Sequence, residues 1–320
     1  MENASGGERP PSLNIYIKSS HRAYCLDRCI RSVKASAAGH DTIVVLDDGT
    51  PDRYLQKIAR DHPEIRITIS PRAAGARLAP QLLDPARFWA AEVQKDEHDY
   101  VLILEEDTWV IDAIRVERIV RNLRLNNAVF LKLFWAGSEK ISSKPEVYLR
   151  VLFDDGDLLE YYTAQIASIW DVYKVFMVAQ SIYRTDYWLN SFATVPHWGD
   201  EPYLLQRALD FVQRMQTESR PARFAKSGSE KIRHSVTSTA RSDGGGPGVK
   251  AKVNNALYNG ILNECWLRGE LDPMHDFPSD FSVDYLLGFF KRQLQESEIA
   301  AWQAWRASYL AMYESMGFTL

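Results

Sequence analysis

The stretch Tyr100-Val101-Leu102-Ile103-Leu104-Glu105-Glu106-Asp107-Thr108-Trp109 decides how the rest of the chain is read. Its apolar run, Val101 to Leu104, leads directly into three consecutive carboxylates. A short continuous apolar run fits a strand buried on both faces of a parallel sheet. Acids at its C-terminal end then emerge at the edge where open α/β sheets bind their ligands. Three adjacent carboxylates repel one another, which is costly unless a cation sits among them. Hard oxygen ligands suit Mg²⁺ or Mn²⁺, and such ions commonly hold a substrate diphosphate as well. The same residues also suit a solvated turn, with Asp107 or Thr108 capping a following helix. On this segment alone both readings stay open.

The flanking segments repeat the alternation. Leu13 to Lys18 reads as a strand, and a helix is expected from about Ala23 to Ala37, with Leu26, Ile30 and Val33 at helical spacing and Gly39 as its cap. Asp41 to Leu46 forms a second buried strand, followed by a helix over about Pro51 to Asp61 and a strand near Ile65 to Ile69. A helix over Pro85 to Lys95 precedes the acidic strand. This β-α-β-α-β order with short loops predicts a doubly wound, mostly parallel sheet. Further strands are expected at Ala128 to Trp135 and Val178 to Arg184, the latter ending the core sheet, and a helix at Tyr203 to Met215.

With 320 residues, 46% hydrophobic and 25% charged, the chain can bury a large core. Its net charge of −4 argues against a general nucleic-acid binder. No apolar stretch reaches the length of a membrane span, and the N-terminus lacks an apolar signal core, so a cytoplasmic protein is expected. Cys25, Cys29 and Cys265 do not suggest a disulfide framework. Cys25 and Cys29 share one helix face, as small core residues or as a pair of metal ligands.

Two regions differ in character. Residues 218–252 carry eight Lys or Arg and three acids, a net +5, with Gly244-Gly245-Gly246-Pro247-Gly248 as a breaker. This reads as a long basic loop or lid. Near the C-terminus, Ile299, Trp302, Trp305, Tyr309, Met312 and Met316 recur at mostly helical spacing. That helix docks either on its own domain or on a partner, including a second copy. The expected plan is a loose tail over 1–12, a main domain over 13–217, the basic lid over 218–252 and a helical extension over 253–320.

Polar clusters stand where strands of one sheet should end: Ser19 to Arg22, Asp47 to Asp52, and Glu105 to Asp107. In order and spacing they resemble a glycosyltransferase of the GT-A (Rossmann-like) fold, close in pattern to the family-2-like group. Lys18-Ser19-Ser20-His21-Arg22 stands in place of a Pro-Thr-x-Asn-Arg opening, and Asp47-Asp48-Gly49-Thr50 is close to Asp-Asp-Gly-Ser. Glu105-x-Asp107 takes the position of an Asp-x-Asp motif. Asp200-Glu201-Pro202-Tyr203-Leu204-Leu205-Gln206-Arg207 is similar to Glu-Asp-x-x-Leu-x-x-Arg with the acids exchanged. The resemblance covers roughly residues 13–215.

The resemblance implies a nucleotide-sugar donor, UDP-linked in the first instance, held by Ser19, Arg22, Asp47 and Asp48 with Arg72, Arg77 and Glu105. It implies a divalent cation, Mn²⁺ or Mg²⁺, on Asp107 with Glu105 nearby and His234 completing the shell. Glu106 is expected to point to the other side of the strand. Glu201, or Asp200, would be the base that takes the proton of an acceptor hydroxyl in an inverting reaction. His197 and Trp198 would line the acceptor pocket, and the loop around Lys231, Arg233 and His234 would close over the diphosphate. The implied acceptor is a glycan, a lipid-linked or a small molecule, met in the cytoplasm or at the inner face of a membrane. Each site has a structural alternative: a turn or Asx cap for Asp47 and Asp48, first-turn acids for Asp200 and Glu201, solvated surface for Arg72, Arg77 and the basic loop. A nucleotidyltransferase would need glycines after the first strand, which are absent. A non-catalytic sugar-nucleotide scaffold remains the second reading.

Overall fold

The six strands read from the sequence join three others in one sheet of nine strands. The structure, a computed structural model, describes residues 11–134, 148–151, 158–162, 167–169, 172, 179–195, 201–218, 222–236 and 253–315. In chain order the elements are β1 (Asn14–Ser19), α1 (Ala23–Ser36), β2 (Ala37–Ala38), β3 (Ile43–Asp47), α2 (Asp52–Asp61), β4 (Arg66–Ile69), α3 (Pro85–Val93), β5 (Tyr100–Glu105), β6 (Thr108–Val110), β7 (Ile114–Arg115) and α4 (Val116–Leu125). They continue as β8 (Ala128–Lys132), β9 (Tyr148–Val151), β10 (Leu158–Tyr162), β11 (Ser181–Arg184), α5 (Thr185–Phe192), α6 (Glu201–Thr217), β12 (Arg223–Ser227), β13 (Ile232–His234), α7 (Asn255–Leu267), α8 (Val283–Phe290) and α9 (Glu296–Ser315).

The spatial order is β4-β3-β1-β5-β11-β8-β12-β10-β9. β4, β3, β1 and β5 run parallel. Following the remaining pairings across the sheet, only β11 and β10 of these nine strands oppose the rest. This is the mostly parallel, helix-flanked α/β sheet that the β-α alternation predicts.

Both faces of the sheet are covered, which is why its central strands are apolar throughout. On β5, Leu102 and Leu104 enter one core cluster with α1, α4 and the C-terminal helices. Val101 and Ile103 enter the other, with α3, α5 and α6. α2 presents Tyr54, Leu55 and Ile58 inward, at the spacing of one helical face.

Several expectations change. No helix follows Asp107: the chain enters β6, which pairs with β13, so neither Asp107 nor Thr108 is a helix cap. The span 218–252 is not one loop. β12 lies within the sheet between β8 and β10, and β13 binds β6; residues 237–252 lie outside the described residues. β11 sits in the middle of the sheet rather than at its end. Trp302 and Trp305 of α9 are 1% and 0% exposed and join the chain's own core, so these side chains are not available to a partner. Cys25 and Cys29 are buried, in no disulfide, and packed in that same core. Among the described residues, no helix is long and apolar enough to cross a membrane.

Candidate active site

Register brings the polar clusters to one edge. Across the parallel pairs β1–β3 and β1–β5, Ser19 lies opposite Asp47 and Lys18 opposite Glu105. The Lys18 ammonium donates to Glu105 Oε1 at 2.8 Å and sits 4.7 Å from the centre of the Trp89 ring. Gln180, just before β11, donates to Glu105 Oε2 at 3.3 Å. Burial alone would raise the Glu105 carboxyl, but the Lys18 charge and hydrogen bond, with Arg22 and His234 nearby, pull it down to about 2. Glu105, expected as a nucleotide contact and metal neighbour, is thus paired with Lys18 and Gln180.

Arg22 serves the other two acids. Its Nε donates to Glu106 Oε1 at 2.9 Å and its Nη1 to Asp107 Oδ2 at 2.5 Å. All three side chains are about 95% buried. Glu106 also accepts from the Ser20 amide at 2.9 Å, so it fixes the loop after β1. Burial pushes Glu106 up to about 7, against the pull of Arg22 and with help from the Asp107 charge. The cations that the acid row requires are therefore supplied first by the chain itself, through Lys18 and Arg22. Arg22 was expected to face the nucleotide; its described bonds go to the acids instead.

His234 is carried to Asp107 by strand pairing. In the antiparallel β6–β13 pair His234 lies opposite Thr108, and the Ser235 amide donates to the Asp107 carbonyl at 2.7 Å. His234 Nε2 stands 3.9 Å from Asp107 Oδ2. The imidazole lies between the rings of Phe134 and Tyr313, with centroids 6.3 and 5.9 Å away. Asp107 Oδ1 and His234 Nδ1 are both buried without a hydrogen-bond partner. A carboxylate and an imidazole that approach to 3.9 Å are donor types that fit a divalent cation, and the nitrogen favours Mn²⁺ over Mg²⁺. Among the described residues no three His, Cys, Asp or Glu side chains cluster as a complete metal site. A cation here would need further oxygens from a substrate diphosphate, as is usual for such ions.

At the neighbouring strand end, Asp47 Oδ2 accepts from the amides of Gly49 and Thr50, both at 3.0 Å, the turn role foreseen as its alternative. Burial, the largest influence, raises its carboxyl despite these bonds. Gly49 holds φ +123°, and a Cβ there would meet His21 Nε2 at 3.3 Å, so the turn needs glycine. Asp48 accepts from Ser70 Oγ at 2.5 Å and is ion-paired with Arg72. Arg72 is half-exposed and thus reaches the rim through Asp48, while Arg77 is exposed and, among the described residues, makes no hydrogen bond or ion pair to this cluster.

Asp200, His197 and Trp198 lie outside the described residues, as does the side chain of Glu201, whose backbone opens α6. Lys231 pairs with Asp112 at 2.6 Å and Arg233 with Glu230 at 3.4 Å, so both basic groups are engaged locally. A cleft of about 530 Å³ opens at the opposite edge of the sheet, between Tyr100, Arg124, Asn127 and Arg184. Its arginines pair with Asp99 and Asp186 at 2.8 and 2.7 Å, and none of the site residues borders it. The sequence reading set Glu106 aside as facing away from the site, and it passed over Gln180. Gln180 carried no motif; its φ of +59° reflects a turn that only the assembled sheet reveals.

No protein-family model and no curated protein matches the chain. It is similar to the solved structure of Staphylococcus aureus TarS residues 1–349, with 11% identity, 94% of this chain and 83% of that chain covered, and a TM-score of 0.45. It is also similar to glucosyl-3-phosphoglycerate synthase from Mycobacterium tuberculosis, solved with Mn²⁺, UDP-glucose and phosphoglyceric acid. That likeness has 13% identity, 82% and 81% coverage, and a TM-score of 0.44.

Proposed function

We propose that this chain is a metal-dependent glycosyltransferase that moves a sugar from a nucleotide-sugar donor to a hydroxyl acceptor. The observation that carries the reading is the pairing of β13 with β6. It sets His234 3.9 Å from Asp107 at the carboxyl end of β5, beside Ser19, Asp47 and Asp48 at the ends of β1 and β3. Crevices at such strand ends are where open α/β sheets take nucleotides.

Asp107 and His234 would hold the cation, which when bound neutralises charge on the departing nucleotide diphosphate. Ser19 Oγ and Asp47 Oδ1, buried across from one another on β1 and β3, would accept or donate to the base and ribose. Arg22 aims the Asp107 carboxylate through its charge-assisted hydrogen bond, and Lys18 keeps Glu105 ionised and aimed. Glu201 or Asp200 would take the acceptor proton as the new bond forms, giving inversion. The acceptor is a glycan, lipid-linked or small molecule.

The test is calorimetric titration with UDP, GDP and CMP, each with and without Mn²⁺, on wild type and Asp107→Ala. Metal-dependent binding of one nucleotide, lost in the variant, is the expected result. Absence of binding by all three nucleotides under both conditions would overturn the reading. One observation favours a second reading, a non-catalytic nucleotide-sugar scaffold: Lys18 and Arg22 already neutralise most of the acid row. Metal-dependent binding without turnover of any UDP-sugar would select it.

A further inference from the structure

Three aromatic side chains of α9 recur four residues apart: Trp305, Tyr309 and Tyr313. Side chains at i and i+4 lie one above another on a helix, so the three form a single stripe. Their rings pack in series. Trp305 and Tyr309 stack with centroids 5.4 Å apart and planes 29° from parallel, and Tyr309 meets Tyr313 at 5.1 Å. The next ring in the series is the His234 imidazole, 5.9 Å from Tyr313 and tilted by 40°.

One end of this series is fixed. Trp305 is fully buried in the chain's own core, as is Trp302, whose ring meets Phe290 edge-on at 5.0 Å. The other end lies in the candidate site, where the His234 side chain is 14% exposed and Nε2 stands nearest Asp107. Phe134, tied by its bridge with Ile232 to the strand of His234, packs on the same imidazole at 6.3 Å. The acid row also reaches Tyr313: burial first, then Tyr309, then the charges of Asp107 and Glu105 push its hydroxyl far above the ordinary tyrosine range.

A metal-ligating histidine is ordinarily held by a hydrogen bond at its second ring nitrogen, which fixes the tautomer and the ring plane. Among the described residues, His234 Nδ1 makes no such bond. The last torsion of a histidine side chain is broad, so a ring left to itself would carry Nε2 away from Asp107. Flanking rings restrict that torsion by packing alone.

We infer that Tyr313 is a positioning residue of the metal pair: with Phe134 it fixes the plane of the His234 imidazole, so that Nε2 stays turned to Asp107. This deepens the donor reading, on which the metal itself rests. A nitrogen held in place in advance binds a cation more tightly than one that must be ordered on binding. The ring of Tyr313 supplies the restraint, and its hydroxyl is not needed for it. The last turns of α9, rooted in the core through Trp302 and Trp305, thereby become part of the site.

The test uses the whole chain, with Mn²⁺ as the probe. Unbound Mn²⁺ is followed by electron paramagnetic resonance during titration of wild type, Tyr313→Phe and Tyr313→Ala, each in excess UDP. Tyr313→Ala should bind Mn²⁺ about tenfold more weakly, the scale of losing a partner that orients a ligand. Tyr313→Phe keeps the ring and should match wild type. A second readout needs no metal. The imidazole NMR signals of His234, identified by their loss in His234→Gln, should move in Tyr313→Ala and stay close to wild type in Tyr313→Phe. Both Tyr313 variants retain Trp302 and Trp305, so an unchanged circular dichroism spectrum separates lost positioning from lost folding. Equal Mn²⁺ affinity in wild type and Tyr313→Ala, or unmoved His234 signals, would overturn the inference and leave the donor reading standing. If wild type binds no Mn²⁺ in the presence of UDP, the donor reading falls and takes the metal role of Tyr313 with it; the His234 signals still decide whether Tyr313 holds the ring.

Discussion

Replacing Arg22 with methionine tests whether the acid row is held by the chain's own cations. The guanidinium is 5% exposed and bridges Glu106 and Asp107, themselves 4% and 6% exposed. Arg22→Met keeps much of the aliphatic stem and leaves two adjacent carboxylates buried without their partner. Removing one member of a buried ion pair costs about 3–5 kcal/mol. At about 2.1 cal/mol/K of unfolding entropy per residue, a chain of this length loses about 0.67 kcal/mol per kelvin, so the melting temperature should fall by about 4–8 °C. Calorimetry or urea unfolding reads this directly. A second variant, Glu106→Gln, removes one of the two stranded charges. The double variant should therefore recover about 1–2 kcal/mol relative to the sum of the single changes. A loss below about 1 kcal/mol, the range of exposed pairs, would refute the buried-cation account. Strict additivity of the two substitutions would refute it as well.

Asp27 offers a pH prediction. Burial would raise its carboxyl, but hydrogen bonds from His62, Arg31 and Trp266 hold it below 3.8. The folded state therefore binds this proton more weakly than the unfolded state. The stabilisation is complete above about pH 3.9 and disappears as pH falls through the lower folded value. Asp27→Asn should remove that part of the acid slope in urea midpoints measured between about pH 5 and 2; equal slopes in variant and wild type would contradict it. Trp305→Ala, at a 0% exposed position stacked on Tyr309 with centroids 5.4 Å apart, should lose about 3–5 kcal/mol while leaving the elution volume unchanged. A shift in oligomeric state on that substitution would show that Trp305 serves an interface.

β1, β3 and β5 were legible because parallel strands buried on both faces require continuous apolar runs. β3, for instance, is Ile43-Val44-Val45-Leu46-Asp47, with all five residues buried. β12 was not legible. Arg223-Phe224-Ala225-Lys226-Ser227 looks like solvated loop because its charge suggests exposure, yet Lys226 is fully buried in the sheet. Composition reports charge, not whether the charge is kept wet. β13 has three residues and no apolar period, and only its pairing with β6 gives it a structure. The acid row was visible as chemistry, but its cations were not. Lys18 meets Glu105 through the β1–β5 register, and register is a property of the assembled sheet rather than of either strand. Glu106 lies in the turn just beyond β5, where it organises Ser20 and Arg22.

The C-terminal part of the chain belongs to the framework of this site for a mechanical reason. Asp107 lies on a short turn between β5 and β6, and such a turn gains its rigidity from contacts on both sides. Arg22 grips it from within. From the other side, Trp109 Nε1 donates to the Pro278 carbonyl at 2.8 Å, and Asp280 accepts from Ser235 Oγ and the Val236 amide at 3.1 and 2.8 Å. The Arg28 guanidinium, fully buried, stacks 4.4 Å from the Trp109 ring and 4.6 Å from Phe281, and donates to the carbonyls of Pro273 and His275. Residues 273–281 are thereby fastened to α1, β6 and β13 together. α7 adds Asn263, which bonds the Tyr24 amide and the His21 carbonyl beside the loop after β1. A carboxylate on the turn before β6 and an imidazole on β13 hold a fixed separation only if both segments are anchored to the same body. Here that body includes α1, α7 and the 273–281 segment, so the Asp107–His234 geometry is set by residues from both halves of the chain.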